Sequence, residues 1–315
     1  MRILRSATIS EEASVTNAKR ETKNDRRAHA REEARLMREK QKQTARRRRF
    51  LIQGGIGVVI IAVALIVTLV VVTNQQNSVV SAASADGPKN MLSDGVLFHG
   101  ASGKAVAVRT AAIPKKGKPV PTDTKTLTKT ANIVEYIDLQ CPVCQAFLTT
   151  NLAQEDKWVA AGKATLEIHP IAILTDPSNG GYSTRAANAV ACVANYDPDS
   201  LLAVLKTMYA DQPKEGSGGL PNSKIISMLS SSGASGSKIA GCVNGESFKK
   251  WVTATTNAVT TGHFAGVATT PASFSGTPTV YVNGQLYPLA DATSVTSAQE
   301  FAAFVDSVKA GTTTS

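Results

Sequence analysis

The sequence predicts an α/β sandwich with an inserted helical segment, preceded by one transmembrane helix. Three observations predict it. Leu51–Thr73 is an uncharged apolar run, a buried-strand pattern passes directly into Cys141-Pro142-Val143-Cys144, and the elements follow the order β-α-β, long helical stretch, β-β-α.

The run Leu51–Thr73 holds 23 residues without a charge. About 20 such residues cross the hydrocarbon core as a helix. Arg46–Arg49 stand immediately before it, and the next basic residue is Lys89. That Lys/Arg bias keeps residues 1–50 in the cytoplasm and sends the remainder across. A buried core helix would be shorter and would lack these flanks. Ala83-Ser84-Ala85 has the form of a signal cleavage site, which leaves processing after Ala85 as the alternative. The apolar run exceeds the roughly 7–15 residues of a signal peptide, and the basic region before it is too long. The expectation is a retained single-pass anchor in the cell membrane with an extracytoplasmic domain.

Charge supports this division. The chain carries a net +10, but residues 1–50 hold 16 Lys/Arg and 7 Asp/Glu, leaving 18 and 17 for the rest. The basicity belongs to the tail, so the folded part offers no electrostatic footprint for nucleic acid. Residues 11–49 have no apolar face and read as a solvated helix or disorder, a topology determinant or a contact for anionic lipid. The organisation read from the sequence is a basic tail over 1–50, the anchor over 51–73, a polar spacer over 74–90 and one domain over 91–315.

Within that domain, Gly95–His99 and Ala105–Arg109 read as short strands, and Ile113–Thr130, rich in Lys, Pro and Thr, as a loop. Asn132–Asp138 is β-branched and aromatic, a buried strand, and the helical pattern after Cys141 continues to about Ala161. Ala164–Leu174 reads as the next strand. Residues 183–265 form the helical insertion, interrupted at Pro213–Pro221 and Ser230–Gly236. Thr279–Val282 and Gln285–Leu289 are strands joined by Asn283-Gly284, a tight-hairpin signal, and Ser297–Lys309 closes the chain as a helix.

A CxxC where a strand passes into a helix has a specific chemistry. Cys141 falls at the N-cap, where N–H groups lack intrahelical partners, so a thiolate there is stabilised. Pro142 suits the first helical position because its missing N–H would be unpaired anyway. Cys144, one turn along on the same face, can close a disulfide with Cys141. Two blander readings are half of a zinc site and an inert structural disulfide. Zinc needs four ligands, and neither the isolated Cys192 and Cys242 nor the scattered His99, His169 and His263 supply them. No strand–turn–helix GxSxG motif supports hydrolase chemistry.

The strand–CPxC–helix segment, the helical insertion and Ser275-Gly276-Thr277-Pro278-Thr279-Val280-Tyr281-Val282-Asn283-Gly284 together resemble the DsbA-like thioredoxin-fold oxidoreductases, in particular their membrane-anchored actinobacterial type. The resemblance covers roughly residues 90–310. It implies that Cys141 attacks, Cys144 resolves, and Pro278 is a cis-proline whose loop faces the pair. Thr277 before it would then point outward to pair with an extended substrate chain. Glu135, six residues before Cys141, matches a buried acid that assists proton transfer at the resolving cysteine. Asp138 has the opposite strand parity and is expected on the other face. The resemblance, with an extracytoplasmic location and an even cysteine count, also implies a structural Cys192–Cys242 bridge; two buried free thiols are the alternative. One departure concerns oxidising strength: the prototype has His as the second residue between its cysteines, and this chain has Val143.

The resulting expectation is an enzyme without a cofactor that oxidises dithiols of reduced secreted proteins and is reoxidised by a membrane partner of the DsbB or VKOR type. The same residues would serve a reductase or isomerase. A non-catalytic envelope binding module with a fixed disulfide is the rival from another class.

Overall fold

A computed structural model describes residues 87–114, 117–122, 130–176, 180–265, 267, 274–309 and 311. The expected tail and anchor, and most of the spacer, lie outside the described residues; no described helix is long and apolar enough to cross a membrane.

Six strands form one mixed sheet in the order β2-β1-β4-β3-β5-β6. β1 (Val96–Ala101) and β2 (Lys104–Ala107) are an antiparallel pair at one edge, and β4 (Ala164–Pro170) runs antiparallel to β1. The central strand β3 (Ala131–Ile137) runs parallel to β4, from Ala131 opposite Ala164 to Ile137 opposite Pro170. On its other side it is antiparallel to β5 (Thr279–Val282), which pairs in turn with β6 (Gln285–Leu286). Flanked on both edges and covered on both faces, all of β3 is buried, which explains why it reads as a continuous β-branched and aromatic run. Ile133 and Ile137 join the larger core with Phe147 and Leu148, whereas Val134 and Tyr136 join a smaller cluster with Val259, Phe264 and Tyr281.

Helix α1 (Pro142–Ala160) follows β3 after a four-residue turn and returns the chain to β4. It ends in a Schellman motif. Gly162, at φ 68°, donates to the Val159 carbonyl, and Lys163 N–H reaches the Trp158 carbonyl; glycine carries this left-handed position without a Cβ penalty. The insertion comprises α2 (Tyr182–Tyr196), a 3-10 turn at Pro198–Ser200, α3 (Leu201–Ala210), α4 (Asn222–Ser231), α5 (Ser237–Asn244) and α6 (Lys249–Thr260). The two interruptions expected from Pro and Gly separate α3 from α4 and α4 from α5. Further breaks at Asp197-Pro198 and Gly245–Phe248 subdivide what the sequence pattern left continuous. After the hairpin come α7 (Ala292–Thr296), capped by the Asp291 carboxylate, and α8 (Ala298–Lys309).

Two strands are shorter than the sequence suggests. β4 stops at Pro170, not Leu174, because proline brings no N–H to the ladder and β3 offers no partner past Ile137. β6 stops at Leu286: Tyr287 N–H still reaches the Val280 carbonyl, but Pro288 cannot continue the pairing. The connecting Asn283 and Gly284 both have positive φ, 49° and 81°, as the tightest right-twisting hairpin turn requires. The end of the expected spacer is also part of the domain. Lys89 N–H donates to Asn195, the Asn90 amide donates to the Ala194 carbonyl, and Asn90 and Thr110 exchange two hydrogen bonds.

Cys192 in α2 and Cys242 in α5 are disulfide-bonded, with Cα atoms 5.9 Å apart and 50 residues between them in sequence. A Cys192→Ala/Cys242→Ala protein is expected to lose about 2–4 kcal/mol of stability, read by urea unfolding of the otherwise oxidised protein. A loss under about 0.5 kcal/mol would show that helix packing alone holds the insertion.

Candidate active site

Cys141 is the N-cap of α1, with extended backbone (φ −76°, ψ 121°), and Pro142 occupies the first helical position. No side chain caps this terminus, so the Cys141 sulfur occupies the place where a capping oxygen would stand. Both cysteines are free thiols and both are fully buried. The Cys141 thiol donates to the Thr277 carbonyl at 3.2 Å, and the Cys144 sulfur accepts the Asp138 N–H at 3.5 Å. The Thr277–Pro278 peptide is cis, and both residues are buried. Thr277 therefore meets the pair, as the resemblance implies, but its carbonyl engages Cys141 and does not face outward. Its hydroxyl is buried and has no other partner, so it is available to an ionised sulfur.

The two sulfurs are electrostatically unlike. Burial opposes ionisation of Cys141, yet hydrogen bonds from the Cys144 thiol, the Thr277 hydroxyl and the Cys144 N–H outweigh it and hold the Cys141 thiol below its ordinary range. Burial and then the neighbouring Cys141 push Cys144 well above that range. Ionisation is therefore favoured at Cys141 over Cys144, the order expected of an attacking and a resolving cysteine.

Glu135 faces α1 from the centre of β3, fully buried, and meets the equally buried Glu155 of the helix. None of the four carboxyl oxygens receives a hydrogen bond from another described group. Two carboxyls in contact in an apolar core must share a proton, because both cannot ionise there. Burial raises Glu135 to about 7, the facing Glu155 carboxyl opposing only part of that rise, and burial with the Glu135 charge raises Glu155 well above its ordinary range. The acid placed by the resemblance beside the resolving cysteine thus has another carboxyl as its partner. Glu155 was not singled out in the sequence, although its place 11 residues after Cys144 puts it on the same helix face.

Asp138 lies just past the end of β3, and its side chain goes where its parity suggests. Its carboxylate accepts the N–H groups of Gln140 and Leu174 and the Ser183 hydroxyl, at 2.8, 2.9 and 2.7 Å. Burial still raises its pKa to about 6. Its main chain nonetheless belongs to the site, since its N–H serves Cys144 and its carbonyl accepts the Tyr209 hydroxyl at 3.2 Å. The corner after α3 adds Gln212, whose amide donates to the carbonyls of Leu139 (3.0 Å) and Cys141 (3.1 Å). No sequence pattern pointed to Tyr209 or Gln212.

His169, given no role from sequence, is buried 3.1 Å from Glu167, which also accepts the hydroxyls of Ser93 and Thr122. That cluster pins the first described segment to β4. Among the described residues, no group of three His, Cys, Asp or Glu could hold a metal ion.

Residues 128–307 match the family described as Thioredoxin. Similar solved structures include the reduced form of the disulfide bond oxidoreductase DsbG from Mycobacterium tuberculosis, 27% identical, covering 58% of this chain and 84% of that one at a TM-score of 0.45. Reduced DsbA from the same organism is 28% identical, with 58% and 89% covered and a TM-score of 0.43. MdbA, a thiol-disulfide oxidoreductase from Actinomyces oris, is 15% identical, with 60% and 84% covered and a TM-score of 0.43. Among curated proteins, none matches the chain.

The carboxyl pair gives a pH test. Folded-state pKa values raised above 4.5 mean that the native protein binds protons the unfolded chain has released. The stability they contribute is complete below about pH 4.5 and is lost as pH rises through about 7. Glu155→Gln should therefore gain ~2 kcal/mol over the parent at pH 8 relative to pH 5, measured by urea unfolding at both values. An identical difference at the two values would show that the pair does not titrate in the native state.

Proposed function

The chain belongs to the thioredoxin family, and from that premise we propose that it is a protein thiol–disulfide oxidoreductase that oxidises dithiols of secreted proteins outside the cytoplasm through Cys141 and Cys144. The observation that carries this reading is the place of Cys141 at the N-cap of α1, one turn before Cys144, with its sulfur 3.2 Å from the carbonyl of the cis Thr277–Pro278 peptide; the lowered Cys141 and raised Cys144 pKa accord with it.

In the oxidised protein a substrate thiolate attacks the Cys141 sulfur. The Cys141–Cys144 bond breaks, and Cys144 leaves with the electron pair and takes up a proton. The second substrate thiolate then attacks the substrate sulfur of the mixed disulfide, and Cys141 leaves as thiolate. The substrate has lost two electrons and gained a disulfide, and the enzyme holds both electrons as a dithiol. Stabilising the Cys141 thiolate stabilises this reduced form, which favours the oxidising direction. Val143 supplies no cationic neighbour, so helix N–H groups, the Thr277 hydroxyl and the Cys144 thiol carry the stabilisation. A quinone-linked membrane protein of the DsbB or VKOR type would accept the electrons and restore the disulfide.

The uncharged Leu51–Thr73 run behind Arg46–Arg49 supports a single-pass anchor with residues 1–50 in the cytoplasm. The Cys192–Cys242 bond supports an oxidising compartment for the domain. The full chain should accordingly remain with membranes through a carbonate wash, and external protease should reach the domain but spare the tail.

Catalysis is tested on oxidised protein and a reduced dithiol peptide. Cys141→Ser should lower turnover at least a thousandfold, and Cys144→Ser, given the disulfide form of the peptide, should accumulate a mixed disulfide through Cys141 with release of one peptide thiol, visible by intact mass. Parental turnover by Cys141→Ser would end the proposal. An equilibrium potential near that of cytosolic thioredoxin would reverse the direction and leave a reductase.

A further inference from the structure

The turn between β3 and α1 must present N–H groups to the Cys141 sulfur, so its carbonyls have to find donors elsewhere. Those donors come from the helical insertion. The Asp138 carbonyl accepts the Tyr209 hydroxyl as well as Cys141 N–H, and the Leu139 carbonyl accepts the Gln212 amide at 3.0 Å. The Cys141 carbonyl accepts the same amide at 3.1 Å in addition to Gln145 N–H. A fourth bond runs back, from the Gln145 amide to the Tyr209 carbonyl at 2.7 Å. The corner at the end of α3 is therefore laced to the active-site turn, and one half-buried side chain, Gln212, bridges the carbonyls on either side of Gln140.

We propose that Gln212 is a positioning residue of the redox site. By holding the Leu139 and Cys141 carbonyls toward the insertion, it keeps the negative ends of those peptide dipoles away from the Cys141 sulfur and the helix N–H groups aimed at it. The inference deepens the redox reading above and rests on Cys141–Cys144 being the exchanging pair.

The physical argument is one of peptide orientation. The 139–140 peptide is held at both ends, its N–H by the Asp138 carboxylate and its carbonyl by the Gln212 amide, so loss of the Gln212 bond removes one of two restraints and lets the carbonyl end of the dipole tilt toward the sulfur. A dipole reversed within a few ångströms of a buried thiolate acts in a low-dielectric site, where it is weakly screened. Losing the thiolate stabilisation raises the energy of the reduced protein and makes it a weaker oxidant. Glutamine suits the position because its amide has two N–H donors and no charge. Glutamate there would set a carboxylate against two carbonyls, with no donor to offer.

The experiment uses the full-length protein in detergent and reads two quantities a merely structural residue would not move. One is the pH midpoint of thiolate absorbance in the reduced protein; the other is the equilibrium constant with glutathione. Gln212→Leu should raise the midpoint by about half to one pH unit and lower the constant threefold to tenfold, tenfold being ~30 mV in a two-electron couple. Gln212→Glu should move both further in the same direction. Gln154→Ala is the control: that amide sits on α1, the helix Cys141 caps, and donates to the Ala298 carbonyl at 3.1 Å, away from the sulfurs. It should leave the midpoint and constant at parental values whatever it does to the melting temperature. Parental midpoints in both Gln212 variants would overturn the inference while leaving the redox reading intact. A parent protein with neither a thiolate transition nor exchange with glutathione would instead defeat the redox reading itself.

Discussion

Cys141 has to be the last residue of a turn and the cap of a helix at once, and most of the domain is arranged to permit that. The sulfur stands at the N-terminus of α1, where N–H groups have no intrahelical partners. It is also fully buried, and burial by itself disfavours a thiolate. Contacts from Cys144 and Thr277 at the sulfur overcome that burial. The β3 register places Glu135 opposite Val280 and Tyr136 opposite Thr279, next to Pro278. Pairing of β3 with β5 is what brings the distant Thr277 loop to the cysteines.

The acids around the site are kept from opposing that thiolate in two different ways. Asp138 is close enough for its charge to disfavour Cys141 ionisation, but three short hydrogen bonds draw its charge toward Gln140, Leu174 and Ser183. Glu135 and Glu155 have no such donors, and burial disfavours their ionisation, raising Glu135 to about 7 and Glu155 above its ordinary range. The core beneath the cysteines then holds fewer charges than its two carboxyl groups could carry, at the cost of losing stability as the solution becomes alkaline.

The parts legible in the sequence were those fixed by local rules. β3, α1 and the Asn283-Gly284 hairpin each carried a period or a turn residue whose consequence is local, and each lies within a residue or two of its expected place. The strand ends differ where pairing decides length: Ile171–Leu174 looks like strand, but after Ile171 N–H reaches the Ile137 carbonyl, β3 has no residue left to pair with 172–174. The cysteine chemistry could be read from spacing, because a cap position is a local fact. Glu155, Tyr209 and Gln212 could not, since each acts through a contact between residues 20 to 73 positions apart. Glu155 was at least hinted at by an acid on an otherwise apolar helix face. A glutamine in a polar loop carries no such hint.

The bond between Cys192 and Cys242 has a consequence for how the molecule comes into being. The ring it closes contains α3 and the corner bearing Tyr209 and Gln212, the elements that satisfy the turn carbonyls beside Cys141. Closing that ring in a newly made chain restricts the segment that carries both donors, so one cysteine pair bears on the surroundings of the other.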